Sequence, residues 1–92
     1  NMAWHQDFEG IPLEGKHINY SFLFRVNDEE NHVYETICKK ESTAKSRYSR
    51  FIKKNFGDKA QIISFWRYVW ENGEMNDKET DLIYHYRDLH KE

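Results

Sequence analysis

From Ile18 to Val26 the chain alternates, with Ile18, Tyr20, Phe22, Phe24 and Val26 separated by Asn19, Ser21, Leu23 and Arg25. A period of two sustained over this length places the large apolar side chains on one face of a β-strand. Such a strand requires sheet neighbours and a cover. Asn27, Asp28, Glu29, Glu30 and Asn31 are turn-forming or charged, and His32 to Lys39 is again rich in strand formers (Val33, Tyr34, Thr36, Ile37). The expectation over 17–39 is a β-hairpin with a loop of about five residues.

After the hairpin the period changes. Ala44, Tyr48, Phe51, Ile52 and Phe56 share one face at helical spacing. Ser42 or Thr43 is a candidate N-cap, and Gly57 can take the left-handed backbone that ends a helix. An amphipathic basic helix is expected over 43–55. Ala60 to Glu71 is less clear, because Ile62, Ile63, Phe65, Trp66, Val69 and Trp70 suit a buried helix as well as a two-sided strand. Its β-branched and aromatic content and the Asn72-Gly73 pair that follows favour a third strand over 60–71. Asn76 with Glu79 forms a candidate capping box ahead of Leu82, Ile83, Tyr86 and Leu89, which predicts a C-terminal helix over 77–90. Residues 1–16 show no sustained period, and Trp4, Phe8, Ile11 and Leu13 read as anchors of an extended arm lying on the core.

The fold class expected is therefore α+β. A small antiparallel or mixed sheet, the hairpin plus a third strand, would be covered by two helices in the order ββαβα behind an N-terminal arm. At 92 residues the chain has room for one core and is read as a single domain over 1–92. Charged residues make up 33% of it, a level that invites the question of disorder, but 16% is aromatic, and disordered chains are poor in aromatics. The single Cys38 cannot form an internal bridge, and neither a secretion-signal pattern nor an apolar run of bilayer length occurs. A cytoplasmic, reducing setting away from the membrane is expected. An aromatic-rich chain of this size also has surface that a homodimer would hide.

The strongest functional signal is a charge asymmetry. Lys39 to Lys59 holds eight basic residues against Glu41 and Asp58, a net of +6, and with a formal charge of −2 overall the remainder carries −8. On the expected helix Arg47, Arg50, Lys53 and Lys54 point away from the Tyr48, Phe51 and Ile52 face. With Lys45 they form a candidate polyanion-binding ridge, and Ser46 and Ser49 add hydrogen-bond donors. Lysine and arginine gain affinity for nucleic acids by releasing condensed counterions, which makes nucleic acid the first candidate partner and an acidic protein the second. A solvated helix face without a partner accounts for the same residues. The overall pI near 6.2 weighs against a dedicated nucleic-acid binder, since such domains are usually basic as a whole. Trp66, Tyr68 and Trp70 would offer bases a stacking platform if their face were uncovered, or would otherwise form core. Arg67, between them, would then need a carboxylate such as Glu35 or Glu71.

Catalytic and metal chemistry find little support. His85 and His90 are five apart and fall on different helix faces, and Asp81 with His85 would supply two ligands where a metal site normally has three or four. Cys38, flanked by Lys39 and Lys40, is a nucleophile only if exposed and paired with a base; otherwise it is a small apolar strand residue. No phosphate-binding glycine loop, nucleophile elbow or zinc-protease helix motif is present. The function expected is a small non-enzymatic binding protein with no cofactor. The alternatives are a protein-interaction module, inhibitor or adaptor, using aromatic surface and the acidic C-terminal helix, and, with least support, a small hydrolase or metalloenzyme.

Overall fold

A computed structural model of the chain describes residues 2–76 and 80–83. The strands are β1 (Met2–Gln6), β2 (Lys16–Val26), β3 (Glu30–Ile37), β4 (Ala60–Glu71), β5 (Glu74–Met75) and β6 (Thr80–Asp81). One α-helix, α1 (Glu41–Asn55), lies among the described residues, followed by a short 3-10 turn over Gly57–Lys59. All strands belong to one mixed, half-barrel sheet in the order β1-β3-β2-β4-β5, with β6 also paired to β4. The fold is a small, single-domain α+β-like arrangement dominated by strands.

Two helices over a three-stranded sheet, in the order ββαβα, is therefore not the arrangement adopted. Two segments account for the difference. Met2–Gln6 is an edge strand paired in parallel with β3, from Met2 opposite Asn31 to Gln6 opposite Glu35, and not an arm laid on the core. Trp4 and Leu13, expected as anchors, are 61% and 78% exposed. A single short strand whose inward-facing positions are only Ala3 and His5 has too few periods to announce itself. At the other end, Thr80 and Asp81 pair with Arg67 and Trp66 of β4, so the expected helix does not begin at residue 77. Asn76 does not cap a helix either: its backbone N–H donates to the Val69 carbonyl and its side-chain amide to Glu71 Oε1. Leu82 is buried in the core and Ile83 packs against it, while residues 77–79 and 84–90 lie outside the described residues.

The β2–β3 hairpin closes more tightly than the charged cluster suggested, since Val26 pairs with Glu30 and the loop is Asn27–Glu29. Asn27 and Asp28 both take positive φ (55° and 59°), and the Glu29 N–H reaches the Val26 carbonyl at 3.0 Å. This is the primed turn whose twist matches a hairpin. Asn72 and Gly73 make the same kind of turn between β4 and β5, with φ of 52° and 81°. Helix α1 starts two residues before the expected position. Lys40 is its N-cap without any side-chain cap bond, and Glu41 in the first turn meets the positive end of the helix dipole.

Helix α1 covers the face of the sheet that carries Tyr20, Phe22, Phe24, Tyr34 and Phe65. Phe22, fully buried, is stacked between Tyr48 at 4.4 Å and Phe65 at 4.3 Å between ring centroids. A second cluster docks β1: the rings of His5 and His32 lie nearly in one plane and share a hydrogen bond between His5 Nε2 and His32 Nδ1 at 3.0 Å, with Phe24, Phe51 and Phe56 packed around them. Aromatic side chains bury roughly 150–250 Å² each, which is how so short a chain builds a core. No helix among the described residues is long and apolar enough to cross a membrane.

Candidate functional site: a basic helix stripe and an aromatic sheet face

Helix α1 divides the five expected ridge residues into two groups. Lys45 and Arg47 turn toward the protein. Lys45 Nζ pairs with Glu41 at 2.8 Å, one turn back, and stands 6.0 Å from the Phe65 ring centroid. Arg47 Nη1 donates to Thr36 Oγ1 at 2.8 Å and to the Ile37 carbonyl at 2.9 Å, tying the helix to the end of β3. Thr36 is fully buried, so this guanidinium satisfies a hydroxyl that solvent cannot reach. Spacing groups Arg47 with the outward cations, but the end of β3 lies close enough to draw its guanidinium inward.

Arg50, Lys53 and Lys54 are exposed, as are Ser46 and Ser49. At offsets of three, four, seven and eight from Ser46, these five form one stripe about 12 Å long that contains no acidic side chain. Lys53 and Lys54 occupy the last turn, where cations also complement the negative end of the helix dipole.

The opposite face of the sheet carries the other candidate. Strand β4 puts Phe65, Arg67 and Val69 under the helix, and Trp66, Tyr68 and Trp70 on the far side. Strand register adds Trp4, Glu35, Asn19, Ser21 and Met75 to that far side. Trp66, Tyr68 and Trp70 are half-buried, and Trp4 is largely exposed. The expected stacking platform is thus on the surface opposite the basic stripe. An open cavity of about 360 Å³ is lined there by Trp4, Asn19, Ser21, Glu35, Tyr68, Trp70 and Met75. Burial pushes the Glu35 carboxyl above its usual range, against a weaker opposing hydrogen bond from Asn19 Nδ2 at 3.4 Å. Asn19 also donates to the Thr36 carbonyl.

Arg67 does not find the carboxylate expected for it in Glu35, which register places on the other side of the sheet. Its Nε is buried without a hydrogen bond among the described residues, as is Trp70 Nε1. Arg67 stands opposite Tyr20 in register, and its charge partly offsets the burial that raises the Tyr20 hydroxyl. Cys38 is half-buried with its thiol pushed up, chiefly by burial, and Sγ donates to the Lys40 carbonyl at 3.4 Å. A raised thiol is protonated and a poor nucleophile at neutral pH. Among the described residues no group of three or more His, Cys, Asp or Glu side chains could hold a metal. His85, His90 and the Asp81 side chain lie outside the described residues. Comparison with protein-family models, curated proteins and solved structures returned no match.

Proposed function

We propose that the protein is a non-enzymatic binding protein that presents the stripe Ser46, Ser49, Arg50, Lys53 and Lys54 of α1 to a polyanion, with nucleic acid the first candidate. The observation that supports this reading is the exposure of three cations and two hydroxyls on one acid-free helix face. Arg50, Lys53 and Lys54 carry the charge, and the serines donate to phosphate oxygens. Lys45 and Arg47 belong to the fold and leave the binding set. The contact is electrostatic and small, sized for about three phosphates, so it favours backbone over base recognition.

Salt-dependent fluorescence anisotropy with labelled mixed-sequence DNA and RNA tests it. Three phosphate contacts give a slope of log K against log salt of about −2 for single strands and about −3 for duplex. Charge reversal by Arg50→Glu with Lys54→Glu should abolish binding at low salt. Affinity no better than millimolar at low salt, or affinity unmoved by the double reversal, would rule the reading out.

A further inference from the structure

We propose that the cavity on the sheet face away from α1 binds a small organic cation bearing an alkylated ammonium group, seated among Trp4, Tyr68 and Trp70 with Glu35 as its counter-charge. This site is independent of the basic stripe and of any polyanion bound there.

The argument begins with what β2 and β3 place in the middle of this face. On the helix side β2 carries Tyr20 and Phe22, but on this side it carries Asn19 and Ser21, which leave room above the sheet. The walls come from the outer strands, Trp4 on β1 and Tyr68, Trp70 and Met75 on β4 and β5. Trp4 and Trp70 stand at opposite ends of the cavity, three strands apart and six residues out of register, since Trp4 is level with Val33, Leu23 and Ser64 while Trp70 is level with His17. Aromatic faces are electron-rich and attract cations, most strongly when the cation is poorly hydrated.

Charge decides which ligand suits the cavity. Glu35 is the carboxylate that register places on this face over β1 to β5, and neither Lys nor Arg lines the cavity. Arg25, on the same face, sits four residues beyond Ser21 near the hairpin end, where its Nε donates to Asn31. A half-buried carboxylate whose hydrogen bond is a single 3.4 Å contact gains from a cation that displaces water around it. A phosphate or nucleotide would be repelled by the same group. A metal ion would want further ligands, which Trp, Tyr and Met walls do not offer. An alkylated ammonium matches both features, since its charge is spread over methyl groups that pack on rings and it requires no hydrogen-bond acceptors.

Titration with choline and with tetramethylammonium at constant ionic strength, read by intrinsic tryptophan fluorescence and by amide chemical shifts, tests the site. The neutral isostere 3,3-dimethylbutan-1-ol supplies the control for shape without charge. Saturable millimolar binding of choline is expected, at least about tenfold tighter than the isostere. Glu35→Gln keeps an acceptor for Asn19, and Trp4→Ala removes a side chain that is 61% exposed, so both variants should fold, as far-UV circular dichroism would verify. Each should weaken choline by about tenfold or more. Co-sedimentation with phosphatidylcholine vesicles forms a second arm: binding to vesicles assigns the group to a lipid headgroup, and binding to free choline alone assigns it to a soluble ligand. Absence of binding in both arms, equal affinity for the isostere, or affinity unchanged in Glu35→Gln and Trp4→Ala would overturn the proposal.

Discussion

Replacing Arg47 by alanine separates fold from function on α1. Arg47 Nη1 makes two hydrogen bonds, at 2.8 Å to Thr36 Oγ1 and 2.9 Å to the Ile37 carbonyl, and Thr36 has no exposed surface. A hydrogen bond from a charged donor contributes about 1.5–3 kcal/mol net, and leaving a buried acceptor unpaired costs about 1–3 kcal/mol. The two bonds share one nitrogen and are not additive, so Arg47→Ala is expected to cost about 2–4 kcal/mol. For a domain of this size that is a fall of roughly 10–25 °C in Tm. Urea unfolding followed by tryptophan fluorescence measures it, with Arg50→Ala as the exposed control, expected within about 0.5 kcal/mol of the parent. Pairing Arg47→Ala with Thr36→Val in a double-mutant cycle should return a coupling of about 1–2 kcal/mol. Below its melting temperature Arg47→Ala should bind polyanion with the parent's salt slope. A loss of stability no larger than that of Arg50→Ala, or a slope that falls by about one contact, would refute the assignment of Arg47 to the fold.

Two further predictions concern pH. The imidazole of His5 is held below its ordinary value of 6.5, by burial first and by the neighbouring His32 second, while Glu30 lies 3.8 Å from the far nitrogen of His32. A depressed histidine contributes stability above 6.5 that is lost as pH falls through that range, so acidification should speed hydrogen exchange across the β1–β3 ladder; exchange unaltered between pH 8 and about 5.5 would count against this docking role. Glu35 has the opposite sign, because its raised carboxyl favours the folded state most below 4.5 and progressively less as pH climbs through its folded value. In thermal melts, Glu35→Gln should therefore gain on the parent protein as pH rises toward neutrality, and a constant difference across that window would contradict the burial of its charge.

The β2 alternation, the α1 face and the Asn72-Gly73 turn were legible because each rests on local physics: side-chain period, and backbone conformations open to few residues. The composition of Ala60 to Glu71 likewise pointed to a strand, and the structure has β4 over those residues. The charge asymmetry was equally plain, and Arg50, Lys53 and Lys54 could be placed on an exposed face from spacing alone. What could not be read was anything that depends on a partner distant in sequence. Met2–Gln6 becomes a strand because β3 offers it an edge 29 residues away, at the pairing of Met2 with Asn31. Arg47 leaves the ridge because Thr36 lies beneath it, and Thr80 with Asp81 joins the sheet because β4 extends far enough to pair with them. The aromatic cavity belongs to the same class. Trp4, Glu35 and Trp70 share no motif, and only the strand order β1-β3-β2-β4 brings them to one face. By itself the sequence determined the local elements and the separation of charge along the chain. Tertiary structure decided which cations remain exposed and which aromatics gather around a carboxylate, because those outcomes depend on long-range pairing that no local period encodes.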